Sequence, residues 1–230
     1  MKNIKTPLRK IAGSLLAGAF MAGAANAAPV QTGNTIQVTT TPGRVNDGGA
    51  FTISGGTYAG PSFETFCLER SEHIGLGGTY TVTLNTSAIK GGDGVRDNSG
   101  AGIGGTPGVS DPLSSKTAWL YSQFLAGGGA LTGWSTTGLT AGQRSGEVQK
   151  AIWYLEDEIA KPTSGYAKTW VDQALSTATS GLYDIRVMNL TASDGLHQDL
   201  LAPVPEPGTY AMFLAGLGLM AGIARRRRAS

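Results

Sequence analysis

The chain of 230 residues has one cysteine, two histidines and no long apolar run outside its two ends. With Cys67 alone, an intramolecular disulfide is excluded. His73 and His197 lie far apart in sequence and do not compose a recognisable metal centre. Charged residues make up only 15% of the chain. No Walker, Rossmann or nucleophile-elbow pattern is present, so nothing calls for a nucleotide or any other cofactor.

Both ends are addressing segments. Residues 1–10 carry Lys2, Lys5, Arg9 and Lys10, residues 11–24 are apolar, and Ala25-Asn26-Ala27 is a small-polar-small cleavage box. This is a secretory signal peptide over residues 1–27, cut between Ala27 and Ala28 by signal peptidase. At the other end stand Val204-Pro205-Glu206-Pro207, an uncharged stretch over 208–224, then Arg225, Arg226, Arg227 and Arg228. Seventeen helical residues reach roughly 25 Å, slightly less than a hydrocarbon core, so 208–224 reads as a short transmembrane segment. The four arginines are expected to stay on the cytoplasmic side and act as a stop.

This order resembles the PEP-CTERM sorting signal of Gram-negative bacteria. The resemblance implies recognition by an exosortase in the inner membrane and processing near Pro205-Glu206-Pro207. The protein would then pass from transient anchoring to the cell surface or exopolysaccharide matrix.

Setting the two ends aside changes the electrostatics. Eight of the 18 basic residues but only Glu206 of the 16 acidic ones lie in 1–27 and 202–230, which leaves 10 basic against 15 acidic residues and a net charge near −5. Such a domain offers no basic patch to a phosphate backbone, so nucleic acid is excluded as an expected partner.

Residues 28–201 suffice for one domain with a core. Thr-, Val- and aromatic-rich segments at 35–41, 50–54, 63–68, 80–86 and 183–190 read as strands. In the last of these, neither alternating face is cleanly polar. Between strands come three helices. Asp111 is the expected cap of the first, starting at Pro112 with Leu113, Thr117, Leu120 and Phe124 along its stripe. The second starts near Ser145 with Val148, Ile152, Leu155 and Ile159 inward and Glu156, Asp157 and Glu158 mostly outward. The third covers about 166–178. The expected fold is therefore a β-rich α+β domain, an antiparallel sheet or sandwich-like core with a central helical insertion. The glycine-rich stretch 91–108 reads as a loop. Its Asp93, Asp97 and Asn98 lack the regular spacing of a calcium-binding hand.

Cys67 in Pro-Ser-Phe-Glu-Thr-Phe-Cys-Leu-Glu has three readings: a small buried hydrophobe, a partner for a second chain, or a reactive thiol. An aromatic-Cys strand followed by a helix reading Gln149-Lys150-Ala151-Ile152-Trp153 resembles the thioester domain of bacterial surface adhesins, with Val148 and Leu68 departing from its pattern. The resemblance implies a bond between the Cys67 sulfur and the Gln149 side-chain carbonyl, an acyl group poised for an amine on a surface partner. Without it, the helix packs on the sheet and Gln149 fixes a helix end or a loop carbonyl. The segments Asn189-Leu190 and Gln198-Asp199-Leu200 also resemble the domain end of many PEP-CTERM proteins.

No enzyme is expected. A Cys67–His73 pair lacks a third orienting group, and consecutive helical carboxylates point in different directions. The expected function is a structural or adhesive protein of the cell surface or extracellular matrix. The alternatives are a covalent adhesin built on Cys67 and Gln149, or a noncatalytic carbohydrate-binding module that uses Trp119, Tyr121, Trp134, Trp153, Tyr154 or Trp170 as stacking faces.

Overall fold

The computed structural model describes residues 29–41, 49–70, 72–89 and 110–204, with 216–218 and 220 of the tail. The signal peptide with Ala27 and Ala28, the loop with Asp93, Asp97 and Asn98, the Pro205-Glu206-Pro207 motif, most of 208–224 and the four terminal arginines lie outside the described residues. Among the described residues no helix is long and apolar enough to cross a membrane.

Six strands form one antiparallel sheet: β1 (Thr35–Thr40), β2 (Phe51–Ser54), β3 (Phe63–Thr65), β4 (Thr79–Asn85), β7 (Ile185–Ala192) and β8 (Gly195–Pro203), in the order β3-β2-β1-β4-β7-β8. Two short strands, β5 (Ser87–Ala88) and β6 (Asp111–Pro112), pair separately. Alternation sets the register. Ile36 and Val38 of β1 point the same way as Ile53 of β2 and Tyr80 and Val82 of β4, and Val38 lies opposite Ile53, Ile36 opposite Tyr80 and Val82 opposite Leu190. Gly56 turns the chain after β2 at φ +66°, where a Cβ would fall 2.3 Å from the Thr35 carbonyl oxygen.

The two ends of this sheet meet. Past β3 the chain bridges β8 at Cys67–Leu200, with the Leu68 N–H donating to Asp199 O at 3.1 Å and the Leu201 N–H donating to Phe66 O at 3.2 Å. The bridge thereby closes the sheet into a six-stranded barrel at this point, joining the chain just past β3 to β8. Ile36, Val38, Phe51, Ile53, Cys67, Tyr80, Val82, Met188, Leu190 and Leu200 form the cluster inside it.

The helices α1 (Ser115–Leu125), α2 (Ala141–Leu155) and α3 (Gly165–Thr177) cover part of the outer face. There Phe66, Leu68, Ile185, Val187 and Leu201 share a second cluster with Leu120, Tyr121, Val148, Ile152, Leu155 and Trp170. Both faces of β7 are consequently buried, Met188 and Leu190 inside and Ile185 and Val187 under helices, which is why its sequence has no polar face. The β-rich α+β class and the central helical insertion hold. The core, however, is a closed sheet with a helical layer, where a sandwich would have two sheets.

Local boundaries differ in instructive ways. Asp111 and Pro112 are in strand β6, and α1 is capped by Ser114, whose Oγ accepts from the Thr117 N–H at 3.1 Å. Helix α2 starts four residues before Ser145, because Thr140 and Gln143 form a reciprocal capping box. Glu156, read as outward, is buried. The Gln198-Asp199-Leu200 segment lies within strand β8, which runs through Pro203, so Ala202 and Pro203, assigned above to the tail, belong to the sheet.

Candidate functional site

Cys67 sits at the seam of the barrel. The β2–β3 ladder ends at Phe51–Thr65, two residues before it. On its other side Cys67 opposes Leu200 as a pair whose flanking residues make the ladder bonds, so its own N–H and C=O face away from β8. Those two groups would be orphaned in the interior unless something else met them.

Gln149 meets both. The Cys67 N–H donates to Gln149 Oε1 at 3.0 Å, and Gln149 Nε2 donates to Cys67 O at 2.8 Å. The side-chain amide has the donor and acceptor layout of a peptide group, and it continues the ladder where β2 stops. Helix α2 delivers it from a buried stripe of Ser145, Val148, Gln149 and Ile152, spaced by three and four. Cys67 is 2% exposed and Gln149 1% exposed, so the contact is dry.

Other residues singled out in the sequence are dispersed. His73 is exposed, while His197 Nε2 lies 2.8 Å from Asp194 Oδ1 and its ring packs 4.8 Å from Tyr80. Trp119, Tyr121, Trp153 and Trp170 are buried. Trp134 carries the Arg144 guanidinium 5.4 Å from its ring centroid, and a Cβ on Gly128 would fall 2.0 Å from the same ring. Tyr154 has Lys161 Nζ at 5.9 Å. These aromatic faces are largely taken up by contacts within the protein, and among the described residues they do not line up as an exposed row.

A cleft of about 420 Å³ opens beside the start of α2, between Phe63, Glu64, Phe124, Trp134, Arg144 and Ser145. Ser145 lies one turn before Gln149 on the same stripe. Burial raises the Glu64 carboxyl above its usual range.

Sequence reasoning missed a group of acids on the far side of the seam. Glu69, Glu72 and Asp199 are buried with carboxylate oxygens within 4.8 Å of one another. The Ile89 N–H and Asn189 Nδ2 donate to the Asp199 carboxylate at 2.7 and 2.9 Å, and the Asp199 N–H donates to Glu72 Oε2 at 3.3 Å. A β-bulge falls at this point of the ladder: Gln198 and Asp199 together oppose Asn189. An oxygen-only set of this kind is the chemistry that hard cations take. No local pattern signals it, since Glu69 and Asp199 are joined only by barrel closure.

Comparison with known proteins adds two findings. Residues 203–228 match the model of the PEP-CTERM protein-sorting motif. The PEP-CTERM tail marks the chain as an exported substrate of an exosortase. No curated protein matches the chain. Among solved structures, an N-terminal thioester domain of a surface protein from Clostridium perfringens is similar, at 14% identity over 75% of this chain and 98% of that one, with a TM-score of 0.49.

Proposed function

We propose that this PEP-CTERM protein is a surface adhesin that binds its partner covalently, through an internal thioester between Cys67 Sγ and Gln149 Cδ. One observation carries the reading. Two residues 82 positions apart, the lone cysteine and a glutamine, are held against each other in a buried site by two hydrogen bonds. The sequence resemblance of both segments to adhesin thioester domains supports the same pair.

The chemistry follows from the contacts. An amide is a poor electrophile, and the Cys67 N–H on Oε1 polarises the carbonyl that the same residue's sulfur attacks. The sulfur adds to Cδ, the intermediate expels the side-chain nitrogen, and that nitrogen leaves as ammonia carrying the thiol proton. An S–C bond replaces the N–C bond. An incoming primary amine later adds to the same carbon, leaving a secondary amide on Gln149 and the thiol on Cys67. The amine is a lysine side chain or an amino sugar on a surface or matrix partner. Burial keeps water from reaching the acyl carbon first.

The test is intact mass of the mature protein purified without reductant or amines, beside Cys67→Ala. The expected result is a deficit of about 17 Da, the ammonia lost, which is absent from the variant and reversed by methylamine with an adduct at Gln149. Full mass, with Cys67 alkylated after denaturation, would overturn the covalent reading and leave a noncovalent surface or matrix module.

A further inference from the structure

Trp153 is 8% exposed but belongs to neither apolar cluster, and its indole Nε1–H has no hydrogen-bond partner among the described residues. The most deeply buried indole behaves as expected: Trp170 Nε1 donates to Thr132 O at 3.1 Å. A buried donor without an acceptor is costly, and a native fold that keeps one calls for an explanation, a role in catalysis among them. Trp153 stands four residues after Gln149 on α2, so the two side chains share one face of the helix with Cβ atoms roughly 5–6 Å apart. Gln149 Oε1 accepts the Cys67 N–H, and a carbonyl oxygen has a second lone pair.

We propose that Trp153 Nε1–H is the second donor to the Gln149 acyl oxygen, completing with the Cys67 N–H an oxyanion hole for both acyl-transfer steps. This rests on the thioester reading. When the sulfur adds to Cδ, the carbonyl π pair moves onto Oε1 and that oxygen becomes negative. Two N–H groups aimed at it then hold far more strongly than they hold a neutral amide. The same oxygen becomes negative again when the amine nitrogen adds to the thioester, before the Cys67 sulfur departs with its bonding pair and takes up a proton from the amine. An interaction made only as charge develops lowers the barrier without tightening the resting state. The orphaned donor of the resting amide and a catalytic role are thus one fact.

Two changes to the mature protein separate this role from packing: Trp153→Phe, and replacement of Trp153 by benzothienylalanine, which keeps the ring shape and puts sulfur in place of N–H. For each, the rate of ammonia loss after refolding and the rate of the methylamine reaction are followed by intact mass. Removing one donor of an oxyanion hole predicts a fall of about a hundredfold in both rates. Wild-type rates in both variants would overturn the proposal while leaving the thioester intact. A wild-type protein that never loses about 17 Da removes the thioester itself and the oxyanion hole with it. Where the phenylalanine variant does not fold, the isosteric one decides.

Discussion

At the scale of single residues, Gln149 shows how a polar side chain can be structural and reactive at once. Its amide satisfies the two backbone groups of Cys67 that barrel closure turns away from β8. Truncation in Gln149→Ala removes both of these hydrogen bonds, at about 1–3 kcal/mol for each group. Against a total stability of about 5–15 kcal/mol that is a large fraction. We expect the denaturation midpoint of Gln149→Ala to fall well below that of Cys67→Ala, which removes a small side chain and keeps both hydrogen bonds. Equal midpoints in urea would show that the amide is not holding the seam. The pair was legible as two motifs in the sequence. Their dry, two-bond contact was not, because it depends on where β2 stops.

Among elements, the junction of α2 with α1 carries the clearest pH signature. Helix α2 ends at Leu155, and Glu156 after it is buried against the start of α1, where the Ser114 N–H donates to its Oε1 at 3.3 Å. Burial pushes the Glu156 carboxyl up to about 8, with hydrogen bonds from Thr117 and Ser114 opposing and Asp111 adding to the rise. Asp111 is itself raised to about 6 by burial, with Glu158 and Asp157 contributing. Below the ordinary glutamate range Glu156 is protonated in folded and unfolded chains alike. Between that range and about pH 8 the unfolded chain has released a proton that the folded one keeps, so stability falls as pH rises. One such group gives a slope of about 1.4 kcal/mol per pH unit. Denaturation at a series of pH values is expected to show this decline in wild type and a flatter curve in Glu156→Gln. Parallel curves would place the proton elsewhere. Periodicity found α2, but a glutamate after an acidic-looking helix end reads as wetted, and only the neighbouring helix makes it buried.

For the molecule as a whole, the folded domain and its address are separable. Strand β8 ends at Pro203, and the Val204 N–H closes onto Asp184 O at 2.7 Å. Deleting residues 205–230 therefore leaves the barrel complete. We expect an unchanged melting temperature, together with loss of surface delivery in cell fractionation. Extending the deletion back to 195 removes β8, opens the seam at Cys67 and exposes both clusters to water, and no cooperative transition is expected. A truncated chain at 204 that still reached the surface would show that the sorting tail is dispensable.

Sequence alone carried the export signal, because a sorting signal is contiguous: Val204-Pro205-Glu206-Pro207, an apolar stretch and four arginines follow one another along the chain. It also determined the strands and helices whose apolar residues recur at periods of 2 and 3.6, and it named Cys67 and Gln149. Tertiary structure decided that the sheet closes. Strand β8 has His197, Gln198 and Asp199 in its middle, residues that by themselves read as a loop, and they are tolerated there because Gln198 reaches Glu69 O at 2.9 Å and Asp199 is met by Asn189 and Ile89. Closure then turned the Cys67 backbone toward α2 and gathered three acids from two distant segments. Each of these depends on which backbone groups remain unpaired after distant strands have met, a quantity that no local window of sequence contains.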